Sequence, residues 1–258
     1  MAVSKQTRSY WNGNVLNFFD EQLNPTFKAG LWKACPALVI LCDPSVGVEF
    51  FDDCFNVNDA ASPANSKFTE SGDTPLVVVT DAANGVISLA PTAVTNNHAC
   101  TIATDGESWD IATNKELWFE ARVKLTEANT DDANILIGLN NAPGADVMQD
   151  NGAGPPANYD GISIFKLDGG TEWKFETSDA TVQTTATTLG DFTTNTWHRV
   201  GFHYDGVTTV TPYLDGVAGT AHTVAAAITE MEFIASVKNG DGNKETLLID
   251  YIKIVNLR

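Results

Sequence analysis

Leu117-Trp118-Phe119-Glu120-Ala121-Arg122-Val123-Lys124-Leu125 is the stretch on which the fold turns. Its odd-numbered residues are all apolar, and the even-numbered ones are Trp, Glu, Arg and Lys. Side chains alternate across a strand, so Leu117, Phe119, Ala121, Val123 and Leu125 share one face. Trp118, Glu120, Arg122 and Lys124 share the other. A period of two over nine residues predicts a strand with one face buried.

The same reading extends in both directions. Apolar or alternating runs at 77–79, 86–90, 135–139, 161–167, 172–177, 197–204, 209–215, 231–237 and 246–255 predict further strands. Turn dipeptides separate them: Asn84-Gly85, Asp168-Gly169-Gly170, Asp205-Gly206, Asp215-Gly216 and Asn239-Gly240-Asp241-Gly242. Short strands at this spacing, with no helical period between them, predict an all-β, two-sheet antiparallel sandwich over residues 48–258. The long loops at 59–74 and 141–158 are expected recognition surfaces.

Composition sets outer limits. A chain of 258 residues with 43% apolar and 19% charged residues can bury one large core without disulfide or metal staples. Its net charge is −18, placed unevenly: residues 1–47 sum to +1 and the remainder to −19. Such a body repels phosphates, which argues against nucleic-acid partners; the acidity suits solubility. The polar first 14 residues carry no secretory pattern, and the apolar run 31–42 is short and broken by Lys33 and Pro36, so no membrane partner is expected. Cys35, Cys42, Cys54 and Cys100 form no C-x-x-C pair, as suits thiols of a reducing cytoplasm.

Residues 1–47 read as an extended N-terminal arm. They hold six of the chain's 24 aromatics, more than sandwich edges usually need. Tyr10, Trp11, Phe18, Phe19 and Trp32 are expected to anchor the arm onto a partner; the alternative is packing across a sheet of their own domain. Within the arm, Asn14 is expected to cap a short helix carrying Val15, Leu16, Phe19 and Leu23 on one face, ended by Asn24-Pro25. At about nine residues it would need a surface to pack on.

Trp197-His198-Arg199-Val200 runs through Phe202 into Asp205-Gly206, and a second strand ends in Leu214-Asp215-Gly216. This hairpin resembles the concanavalin A-like lectin/glucanase superfamily, including its laminin-G-like and pentraxin-like domains. Phe50–Asn56 is similar to the family's first strand, Phe119–Leu125 to its central strand, and Leu248-Ile249-Asp250-Tyr251-Ile252-Lys253-Ile254 to its closing strand. The resemblance spans residues 50–256 and implies a jelly roll. It does not by itself imply a function, since this fold hosts lectins, glycosidases and structural modules.

The hydrolase branch of that superfamily carries Glu-x-Asp-x-x-Glu on a strand. Here no Glu is followed two positions later by Asp, and the strand holding Glu116 and Glu120 lacks the middle carboxylate. No Gly-x-Ser-x-Gly elbow or phosphate-binding Gly-x-x-x-x-Gly-Lys loop occurs either, so the chain is expected not to be an enzyme. His198 and His203 fall on opposite faces of one strand and cannot share a metal. The oxygen-rich turns Asp131-Asp132, Asp168 and Asp241-Gly242-Asn243 leave two readings, calcium loops or solvated acidic turns, and no cofactor is expected. Trp118, with Glu120 and Arg122, is the candidate glycan platform, unless a crossing loop covers it. Asp250, between apolar neighbours, needs a hydrogen-bond donor or a cation.

An acidic non-catalytic jelly roll with an aromatic arm resembles a virion structural protein of a tailed bacteriophage. That implies a capsid decoration protein, assembled in the host cytoplasm. Its partners would be the major capsid protein or another virion protein, and copies of itself as a homo-oligomer. A carbohydrate-binding module, free-standing or on a phage fibre, is the alternative, and a glucanase the third.

Overall fold

The structure is a computed structural model describing residues 9–12, 15–18, 30–54, 67–73, 77–79, 82–129, 131–157, 159–180, 182–224 and 228–258. In chain order the strands are β1 (Ser9–Asn12), β2 (Val15–Phe18), β3 (Gly47–Asp52), β4 (Phe68–Gly72), β5 (Val77–Val78), β6 (Ile87–Leu89), β7 (Ala99–Thr104) and β8 (Leu117–Thr126). There follow β9 (Ala133–Asn140), β10 (Gly161–Lys166), β11 (Glu172–Asp179), β12 (Val182–Gln183), β13 (Thr187–Asp191) and β14 (Trp197–Tyr204). The last five are β15 (Thr209–Leu214), β16 (Val217–Ala218), β17 (His222–Thr223), β18 (Glu232–Asn239) and β19 (Thr246–Leu257). One six-residue helix, α1, spans Ala37–Cys42.

Two antiparallel sheets form a sandwich. One has eight strands in the order β12-β11-β10-β9-β18-β7-β4, with β13 on β11; the other has nine in the order β16-β15-β14-β8-β19-β6-β5, with β17 on β15 and β3 on β19. The deciding stretch is the centre of the nine-stranded sheet, paired with β14 on one side and β19 on the other. Its odd-numbered residues enter the core with Val200, Phe202, Ile252 and Ile254, all buried, while Leu214 is half-buried at the rim. Phe119 stacks on its cross-strand partner Phe202 at 4.9 Å.

The turns follow their residue types. Asp205 Oδ1 accepts from the amides of Val207, Thr208 and Thr209, and Gly206 supplies a φ of 72° that other residues rarely adopt. Asp215-Gly216 connects β15 to β16 with φ of 51° and 79°, as a two-residue hairpin turn with both φ positive requires.

Each sheet carries an extra layer outside. Over the eight-stranded sheet, Val147 and Met148 of the loop after β9 pack on Leu136, Phe165 and Ile234. Lys238, fully buried, holds that loop with its ammonium 2.7 Å from Asp150 Oδ1, 3.2 Å from Asp146 Oδ1 and 2.7 Å from the Met148 carbonyl. Over the nine-stranded sheet, Leu31 and Ile40 of α1 and the preceding turn pack on Trp118 and Val255. The segment 30–46, read from sequence as arm, therefore lies on the body.

The expected helix at Val15 is corrected. Val15–Phe18 is a strand paired with Ser9–Asn12, and Asn12 opposes Val15 with only Gly13-Asn14 between them. Gly-Asn is a hairpin dipeptide, and that local preference wins over Asn14 as a helix cap. Phe19 and Leu23 lie outside the described residues, as does most of the loop at 59–74.

Candidate functional site

The outer face of the nine-stranded sheet carries the site residues singled out by the alternation of β8. Trp118 is 1% exposed, stacked on His203 at 4.9 Å and covered by Leu31 and Ile40. Glu120 is 6% exposed and accepts a 2.7 Å bond from the Tyr251 hydroxyl. Burial and the Glu120 charge push that phenol well above its ordinary range. The expected glycan platform on Trp118, Glu120 and Arg122 is thus not an open surface: a crossing segment covers its indole, and its carboxylate is already engaged. Trp32, expected in the partner interface, has the Lys253 ammonium 4.8 Å from its ring centre and packs on the body.

Further along the face the surface opens. β14 sets Trp197 opposite Lys124 and Arg199 opposite Arg122. Arg122 and Lys124 approach the half-buried Trp197 ring to 4.7 and 5.2 Å from its centre. Arg122 also bonds Asp250, which a bulge between Ile249 and Tyr251 turns toward it, supplying the cation its partly apolar setting requires. Lys253 pairs with Glu49 at 3.0 Å. Among the described residues, Lys124 and Arg199 enter no salt bridge. Sequence reading passed over Trp197 as a site residue, because its pairing with Lys124 depends on a register between strands more than seventy residues apart.

Tyr10, Trp11 and Phe18 lie on the β1–β2 hairpin, whose two strands, among the described residues, hydrogen-bond to each other and to neither sandwich sheet. β2 approaches α1, so the hairpin stands on the side of the nine-stranded sheet.

Two other places carry polar groups. Between the sheet edges, Thr177, Ser178, Asp179, Thr184 and Thr223 line a recess of about 210 Å³ together with Val182, Val224 and Ile228, and among the described residues the buried Ser178 hydroxyl has no partner. At the sandwich end, Asp132, Asp168 and Asp241 draw together; burial first, then Asp132, raises the Asp168 carboxyl. Among the described residues, however, no three His, Cys, Asp or Glu side chains converge to hold a metal ion. Of the glucanase-like carboxylates, the buried Glu120 accepts from Tyr251, and Glu116, partly exposed, bonds His203 at 2.8 Å.

The chain has the concanavalin A-like jelly-roll fold shared by lectins and glucanases. It resembles the β-glucanase of Bacillus licheniformis with a TM-score of 0.57 at 14% identity, covering 81% of this chain and 98% of that one. Lectin II from Ulex europaeus matches with a TM-score of 0.57 at 12% identity, covering 82% and 99%. The carbohydrate esterase vb_24B_21 from the Shiga toxin-encoding bacteriophage phi24B matches with a TM-score of 0.51 at 18% identity, covering 75% and 91%. No protein-family profile and no curated protein sequence matches the chain.

Proposed function

We propose that the chain is a non-enzymatic structural protein of a virion, a capsid decoration protein docked by its N-terminal hairpin onto the major capsid protein or a neighbouring virion protein. The observation that carries this reading is the hairpin itself, which among the described residues pairs with neither sheet while its sequence holds Tyr10, Trp11 and Phe18. A two-stranded ribbon has two free edges for pairing, and Trp and Tyr are the residues on which interface energies concentrate. The engagement of Glu116 with His203 and of Glu120 with Tyr251 supports a non-catalytic role, and the likeness to a phage protein fits a virion setting.

The test is removal of residues 1–29 followed by fractionation of assembled particles. The shortened chain should keep the thermal midpoint of the full one and be lost from particles. Normal uptake of the shortened chain would refute the docking role.

A second reading, a carbohydrate-binding module, is favoured by the recess at Ser178, where Thr177, Ser178, Thr184 and Thr223 offer hydroxyls beside the apolar Val182, Val224 and Ile228, the mixture that ligand recesses use. Glycan-array binding that disappears in Ser178→Val would support it.

A further inference from the structure

Beyond the segment that covers Trp118, the outer face of the nine-stranded sheet presents Trp197 with Arg122, Lys124 and Arg199 around it. We propose that the surface around Trp197 docks an acidic protein surface, with Trp197 as the apolar anchor and Lys124, Arg199 and Arg122 meeting carboxylates of the partner. The proposal rests on the docking reading above and names the chemistry of the partner.

Charge placement is the first support. The body is strongly acidic, yet Arg122, Lys124 and Arg199 meet around Trp197, and while Arg122 has Asp250, Lys124 and Arg199 enter no salt bridge among the described residues. Arg199 and Arg122 stand directly opposite each other on paired strands. Like charges in that position destabilise a sheet; Asp250 pairs with Arg122, and the Asp215 charge acts on Arg199 without an ion-pair contact, so a ligand carboxylate would add a direct partner for Arg199.

Trp197 is the second. Its ring lies half-buried among these cations, so a partner gains both an aromatic contact and charge-assisted hydrogen bonds from the fork of an arginine.

Position is the third. Segment 30–46 and the hairpin stand on this same side of the sandwich, so a partner held by the hairpin lies on the side that carries Trp197. The rest of the acidic body would repel an acidic partner, which fixes the docking orientation. At physiological salt the Debye length is about 8 Å, so the contacting face, and not the net charge, decides binding.

The experiment uses the full chain and an immobilised random copolymer of Glu and Tyr as an acidic polypeptide probe, with polygalacturonate as an anionic glycan of comparable charge. The wild-type chain should bind the copolymer in preference to the glycan. Lys124→Glu combined with Arg199→Glu should weaken it at least about tenfold, as should Trp197→Ala. Lys124→Gln combined with Arg199→Gln should weaken it less and serves if charge reversal prevents folding. Unaltered thermal midpoints show that the sandwich is intact. No binding by the wild-type chain, equal binding by the variants, or a preference for polygalacturonate would overturn the proposal. Particle uptake separates the two ideas: if the charge-reversed chain is taken up normally while the chain lacking residues 1–29 is not, docking by the hairpin stands and this surface is excluded.

Discussion

Glu245 shows how one residue sets a pH dependence. It is fully buried; its Oε2 accepts from the Ala128 amide at 3.0 Å and its Oε1 has no partner among the described residues. Burial, and then the charges of Glu127, Asp241 and Asp132, push its carboxyl from 4.5 to about 7. The folded chain therefore keeps a proton that the unfolded chain releases. Its contribution to stability is complete below pH 4.5, falls as the pH rises, and is gone above about 7. The difference is about 3 kcal/mol. Denaturant unfolding at pH 5 and pH 8 should show this loss, and Glu245→Gln should remove most of it; an unchanged pH slope in that variant would contradict the assignment. Phe119 illustrates packing at the same scale: it has no exposed surface and touches Phe202 and Phe233. Phe119→Ala should cost about 3–5 kcal/mol in the same measurement.

Among the elements, the loop after β9 depends on a single cation. Lys238 projects from β18, and its ammonium meets the loop at Asp146, Met148 and Asp150. The two acids are 88% and 56% exposed at their side chains, so losing the lysine returns them to water at little cost. The Met148 carbonyl, in contrast, loses its buried donor. Lys238→Met should therefore cost about 1–3 kcal/mol. Its distinguishing effect is local: amide exchange at Gln149 and Ala153 should accelerate while that of β8 and β14 stays unchanged. Uniform acceleration across both sheets would mean that the lysine supports the whole sandwich. The two N-terminal strands follow a different logic, since their pairing is local and short-range and needs no core of its own to set its register.

At the scale of the molecule, the non-enzymatic reading proposed above means that a fold shared with glucanases does not bring their chemistry. Retaining hydrolysis needs two carboxyl groups about 5–5.5 Å apart across an open cleft. Glu120 instead is buried against Tyr251, and Glu116, partly exposed, pairs with His203. Laminarin and mixed-linkage β-glucan should remain intact in the presence of the chain, measured as released reducing sugar. Turnover abolished by Glu120→Gln would reverse that conclusion.

The alternation of 117–125, the β14–β15 hairpin and the Asp-Gly turns were legible in the sequence because each rests on near neighbours: a period of two, or a dipeptide with a positive φ. β7, β13 and the short edge strands were not, since runs such as Ala99-Cys100-Thr101-Ile102-Ala103-Thr104 show no alternation and become strands only between paired neighbours. The sequence could place Trp118, Glu120 and Arg122 on one face of β8, but not say what covers that face. Only the tertiary structure decided that Leu31 and Ile40 close over Trp118 while Lys124 and Arg122 come to flank Trp197. The physical reason is range: periodicity fixes where a side chain points along its own strand, whereas burial depends on which distant segment packs against it, and that is settled by the whole core at once.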